Sequence, residues 1–222
     1  MLVAAAIIPS APVLVAELSR GAAEVAELRE AVLTAASGLP DRWVAVGVGT
    51  ENRVWGPEAA GTFAGYGVDV RVTLGPDAGP VAPLPLCALI TGWVRAQVRP
   101  AAHARVHAVT DPRIGSELGR DLRTELDATA DPVGVLVVAD GCRTLTPGAP
   151  GGHDPSSVAV QSALDGALAA GDAAAMAVQP DAVVGRAAYA VLSGLLPAPH
   201  AVDELYRGFP FGVGYTVCVW RP

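Results

Sequence analysis

The side chains best placed to do chemistry follow a single apolar run. In VGVLVVADGCRTLTPGAP (residues 133–150), Val133, Val135, Leu136, Val137 and Val138 read as a buried strand. The strand breaks into Asp140, Gly141, Cys142, Arg143 and Thr144. In open α/β sheets, ligands sit beyond the carboxyl ends of the strands, so this polar cluster is the first site candidate. Asp140 and Arg143 suit the clamping of an anionic or hydroxylated molecule, because a guanidinium presents a fixed charge and a planar set of donors. The competing role is an ion pair between the two that only holds the loop. Cys142 stands beside the Arg143 cation, which would favour a thiolate, yet no nearby histidine offers a base; the alternative is an inert buried thiol. His153, in Gly-Gly-His-Asp-Pro after the same loop, either reaches the cleft or makes a loop contact only.

Other clusters carry less. His103 and His107 stand four apart, which on a helix would allow a shared metal, but no third ligand is evident and surface histidines are the simpler reading. GTFAGYG at 61–67 is glycine-rich without the GxGxxG spacing. It runs into a strand, whereas a phosphate cradle needs strand, loop and then helix, so a dinucleotide site is excluded. GTENR at 49–53 ends another apolar strand, placing Thr50 and Glu51 at the border of the same cleft. Glu51 and Arg53 would equally suit a solvated surface.

The elements that must position these groups alternate along the chain. Leu2–Ile8, Trp43–Val48, Arg105–Val109 and Val133–Ala139 are short apolar runs bounded by turn residues, and Val68–Leu74 alternates as a strand should. Helical spacing predicts helices over Glu17–Ser37, Leu86–Val98, Ile114–Ala128, about 156–169, Ala173–Ala177 and Asp181–Leu196. Asp154-Pro155-Ser156-Ser157 has the form of a helix start. Gly212–Trp220 alternates as a closing strand. The pattern predicts a single α/β domain over residues 1–222, with a largely parallel or mixed central sheet flanked by helices on both faces.

Composition narrows the function classes. A net charge of −7 with no lysine, every basic side chain being arginine, offers no basic face for nucleic acid. No apolar window approaches the length of a membrane span, and Pro9 and Pro12 interrupt the apolar amino terminus too early for a signal peptide. Three scattered cysteines with no CxxC pair predict a cytoplasmic protein without a disulfide framework.

IIPSAPVLVAEL near the amino terminus, DGCRTLT at 140–146 followed by Gly-Ala-Pro, and FGVGYTVCVW at 211–220 together resemble the class III extradiol ring-cleavage dioxygenases and the related Memo-like proteins. The resemblance follows element order along essentially the whole chain. It implies an α/β fold and an Fe(II) centre of two histidines and a carboxylate with open positions for catechol and dioxygen. This chain departs from that pattern where it matters most. Ser10 occupies the position of the first histidine, and the second would fall near Gly49. Arg143 stands where the resemblance places the acid/base histidine, and no carboxylate matches the third ligand. The expectation is therefore a diverged extradiol-dioxygenase-like protein with no metal cofactor and no ring-opening activity. Its pocket of Ser10, Thr50, Glu51, Asp140, Cys142, Arg143 and His153 would hold a small anionic or aromatic molecule. One alternative is a metal-dependent dioxygenase or hydrolase rebuilt on Glu51, Asp140 and His153. Another is a non-catalytic homo-oligomeric scaffold.

Overall fold

The computed structural model describes residues 1–19 and 22–222. The chain begins with β1 (Leu2–Ile8), a short α1 (Ala16–Ser19) and α2 (Ala26–Ser37), then β2 (Arg42–Val48) and β3 (Arg53–Trp55). Next come β4 (Ala60–Thr62), β5 (Arg71–Thr73), α3 (Leu86–Val98), β6 (His103–Val109) and α4 (Gly115–Asp127). The second half holds β7 (Val133–Val138), α5 (Ser156–Ala170), α6 (Ala173–Met176), α7 (Arg186–Leu195), β8 (Ala201–Gly208) and β9 (Tyr215–Arg221). Seven strands form one mixed sheet in the order β3-β6-β2-β7-β1-β9-β8, while β4 and β5 pair separately. The inner strands β6, β2, β7 and β1 are parallel; β3, β9 and β8 run antiparallel to their neighbours.

Burial explains why the inner strands read as unbroken apolar runs. Both faces of the sheet are covered, so residues of both parities are buried. On one face Ala6, Ile8, Ala45, Val106 and Leu136 pack under α2 and α3. On the other, Ile7, Val44, Val46, Val135 and Val137 pack under α4, α5, α6 and α7. Gly47 lets α3 approach β2: a Cβ there would stand 2.2 Å from that of Cys87.

Several boundaries differ from the sequence expectation. The helix expected over Glu17–Ser37 is divided into α1 and α2, and Arg20 and Gly21 lie outside the described residues. Of the strand expected over Val68–Leu74 only β5 forms, and it pairs with β4. Asp69 accepts a hydrogen bond from the Thr62 hydroxyl, and Gly67 adopts φ +100, so the chain folds back before β5. The last long helix starts at Arg186, not Asp181, because the amides of Val184 and Gly185 donate to Gly141 and Asp140 carbonyls. The closing strand spans Tyr215–Arg221, since Phe211 and Gly212 turn with φ of +60 and +75. β6 begins at His103, which puts His103 and His107 on a strand. Four residues of strand span roughly 13 Å, too far for the two imidazoles to share a metal.

Candidate functional site

Register sets the row of residues at the carboxyl edge. Val138 pairs with Ile8 on one side and Gly47 on the other, and Gly47 pairs with Ala108. Ser10, Gly49, Thr110 and Asp140 each lie two residues beyond this level, side by side. The chain leaves β1 and β2 towards the face of α2 and α3. It leaves β6 and β7 towards the opposite face, the side of α4 and α5. Adjacent strands therefore diverge at β6/β2, β2/β7 and β7/β1, the kind of point at which α/β sheets open a crevice, and Ser10 and Asp140 stand at the β7/β1 divergence.

Ser10 and Asp140 meet in that crevice. The Ser10 amide donates to Asp140 Oδ1 at 2.8 Å, and no cation pairs with this carboxylate among the described residues. Removal from water pushes the Asp140 carboxyl up to about 7, against the opposing pull of the Ser10 hydrogen bond. Asp140 as a whole residue is half-buried, while its carboxyl is withdrawn from water beside Ser10. Behind it, the buried Tyr189 hydroxyl donates to the Ala139 carbonyl at 3.2 Å.

The loop after Asp140 is fixed from two sides. Gly141 and Gly214 exchange backbone hydrogen bonds with their neighbours: the Gly141 amide donates to the Gly214 carbonyl at 2.9 Å, and the Gly214 amide to the Cys142 carbonyl at 2.8 Å. The Cys142 amide donates to Gln161 Oε1 at 2.8 Å. Gln161 Nε2 donates in turn to Asp165 Oδ1 at 2.8 Å, and the Thr216 hydroxyl donates to the same oxygen at 2.6 Å. Both glycines are obligatory for this fit, since a Cβ at either would lie 2.1 Å from Gln161 Oε1. Gln161, Asp165 and Thr216 were not singled out from the sequence. The signal was present: Ser157, Gln161 and Asp165 recur every four residues on the stripe of α5 that also carries Leu164 and Leu168.

The seven expected pocket residues do not share one cleft. Ser10 and Asp140 are joined directly. Thr50 and Glu51 line a neighbouring cavity of about 460 Å³ with Gly49, Trp55 and Tyr66. There Glu51 pairs with Arg53 at 3.3 Å, and the Arg53 guanidinium stacks 3.9 Å from the Trp55 ring centre. Cys142 is a correction to the binding expectation. It is fully buried, and burial raises its thiol pKa, followed by the charges of Asp165 and Asp154, so the Arg143 cation does not activate it. The Asp140–Arg143 ion pair is likewise absent among the described residues, because Arg143 is exposed while Asp140 turns towards Ser10. His153 is exposed on the loop before α5. Next to it, Asp154 opens that helix by accepting from the Ser156 amide at 2.9 Å, and hydrogen bonds from Ser156 hold its carboxyl below the usual range.

The Fe(II) centre implied by the resemblance does not fit these residues. It asks for two neutral imidazoles and a carboxylate, whereas the crevice offers the Ser10 hydroxyl, a side-chain-free Gly49 and Asp140. A Cβ at Gly49 would stand 2.8 Å from that of Ala108, so even the first atom of an imidazole side chain is obstructed. No group of three or more His, Cys, Asp or Glu that could hold a metal occurs among the described residues, Glu51, Asp140 and His153 included.

No protein-family model matches the chain, and no curated protein matches it. Among solved structures, it is similar to the crystal structure of an uncharacterized protein, JW3007, from Escherichia coli K12. The two are 10% identical with a TM-score of 0.53, over 99% of this chain and 100% of that one. At that identity the likeness is one of fold alone.

Proposed function

We propose that this is a diverged extradiol-dioxygenase-like protein that has given up Fe(II) and binds a small hydroxylated or anionic aromatic molecule at the β1/β7 crevice. The observation that carries this reading is Asp140. It is a carboxyl just beyond the end of β7 beside β1, held by one backbone amide, without a cation partner among the described residues, and shifted to about 7. A group poised there both donates to and accepts from a ligand hydroxyl near neutral pH, which is what proton exchange with a phenol requires. Arg143, exposed on the same loop, supplies the fixed positive charge for a carboxylate at the other end of the ligand. Three free, buried cysteines support a cytoplasmic location. Among the described residues no helix is long and apolar enough to cross a membrane.

Calorimetric titration with 3,4-dihydroxybenzoate tests the reading. Wild type is expected to bind it saturably, and Arg143→Ala to weaken binding about tenfold or more, as loss of a charge-assisted hydrogen bond would. Asp140→Asn should abolish the dependence of affinity on pH around 7. Equal affinity of wild type and both variants, or no binding at all, overturns it.

A second reading, a homo-oligomeric scaffold, is favoured by one observation. At the turn between β8 and β9, Phe209 and Phe211 are 58% and 50% exposed, an apolar tip beside the edge strand.

A further inference from the structure

A cavity of about 380 Å³ opens on the α4 face of the sheet, away from the Ser10–Asp140 crevice, between β3, β6 and the first turns of α4. Its walls are apolar side chains left unusually open: Val54 is 53% and Ile114 41% exposed, and Leu118 is half-buried. Single exposed apolar residues mean little, but three facing one hollow of ligand size do. His107 lines the same wall. It is nine-tenths buried, and its Nε2 is buried without a hydrogen-bond partner among the described residues. A buried imidazole nitrogen left without a partner loses its hydrogen bonds to water and gains none in return. Burial also draws the His107 pKa down to about 4, with Arg105 adding to the effect and Glu125 opposing it, so the ring adds no positive charge to the wall.

The mouth is electronegative. Glu117 and Asp121 stand four apart on α4, both exposed, and neither makes an ion pair among the described residues. The one cation on the lining, Arg53, is already engaged with Glu51 and the Trp55 ring. Apolar walls below two free carboxylates, beside a neutral imidazole, match a molecule with a ring-sized apolar body and a positively charged end.

We propose that this cavity is a binding site for a small organic amine, its apolar body against Val54, Ile114 and Leu118 and its ammonium group between Glu117 and Asp121. The site is independent of the crevice at Asp140 and would stand if that reading failed. Three probes of similar size separate the contributions: 2-phenylethylamine, the neutral 2-phenylethanol and the anionic 3-phenylpropionate. Titrations followed by amide and imidazole NMR shifts should show saturable binding of the amine that perturbs His107 and α4. The alcohol should bind about tenfold more weakly and the acid weaker still. The double variant Glu117→Gln, Asp121→Asn changes only exposed side chains, so it should fold as wild type does. It should bind the amine no better than the alcohol. Ile114→Trp, which fills the hollow, should remove binding of both. Binding of the acid as tight as the amine, amine affinity unchanged in the double variant, or shifts confined to residues outside the cavity would each overturn the proposal.

Discussion

At the scale of single residues, the hydrogen bond from the Ser10 amide does not compensate for what Asp140 loses on leaving water. Its pKa rises to about 7 in the folded chain, against about 3.9 for an aspartate in an unfolded one. Between these values the folded protein binds the extra proton, so its stability falls as pH rises through that window and the full cost is present above it. The slope is about 1.4 kcal/mol per pH unit, and about 4 kcal/mol is the upper bound for the whole window. Asparagine keeps the oxygen that accepts from Ser10 but never ionises. Asp140→Asn should therefore equal wild type near pH 4 and exceed it by a few kcal/mol at pH 8, measured by urea unfolding at both values. Parallel pH profiles would show that Asp140 is solvated and ordinary. The position of Asp140 was legible in the sequence, because a polar residue ending an apolar run marks a strand's carboxyl end. Its state was not legible, since the missing counter-charge depends on Arg143 pointing into solvent. The burial of Cys142 was hidden for a similar reason: its neighbour in sequence is a cation, but its contacts in space come from Val183 and α5.

At the scale of elements, legibility followed how much of the neighbourhood was written into the run itself. β1, β2 and β7 are covered on both faces over most of their length, so each is apolar apart from Arg42 at the start of β2 and could be read without its partners. β8 lies at the sheet edge, with Asp203, Glu204 and Arg207 on it, and was missed for that reason. β3 and β4 are three residues each, too short to show a period. The lock between α5, β9 and the Asp140 loop was equally invisible, because it joins residues some twenty to seventy positions apart through one glutamine. Gln161 is wedged between the two glycines and satisfies the buried Cys142 amide, so Gly141→Ala must expel its side-chain end and break both of its hydrogen bonds. Gly141→Ala and Gln161→Ala should each destabilise by about 1–3 kcal/mol, the cost of leaving a buried amide unpaired. The double variant should cost clearly less than the two together, since both remove one interaction. Additive losses in denaturant midpoints would mean that the glycine is needed for some other contact.

At the scale of the whole molecule, the sheet ties the chain's two ends together. β9 inserts between β1 and β8, so residues at positions 5–7 pair with residues at 218–220. Each inner strand also serves two cores at once, one beneath α2 and α3 and one beneath α4 to α7. Neither core can melt while the other persists, because each would lose the strands that form its floor. Two tryptophans report on the two sides separately. Trp43 is buried in the first core and Trp220 in the second, where its indole donates to the Leu168 carbonyl at 2.9 Å. With Trp55 and Trp93 replaced by phenylalanine, the variants Trp43→Phe and Trp220→Phe leave one reporter on each side. Their fluorescence transitions in urea should each coincide with the far-ultraviolet circular dichroism of the same variant, the signature of one cooperative unit. Replacement of Trp220 should lower the midpoint for both signals together, although the change lies in one core. A Trp43 transition that kept its midpoint while the circular dichroism split into two steps would divide the chain into two folding units. The long-range pairing of β1 with β9 should also make refolding slow, in the millisecond-to-second range of chains dominated by distant contacts.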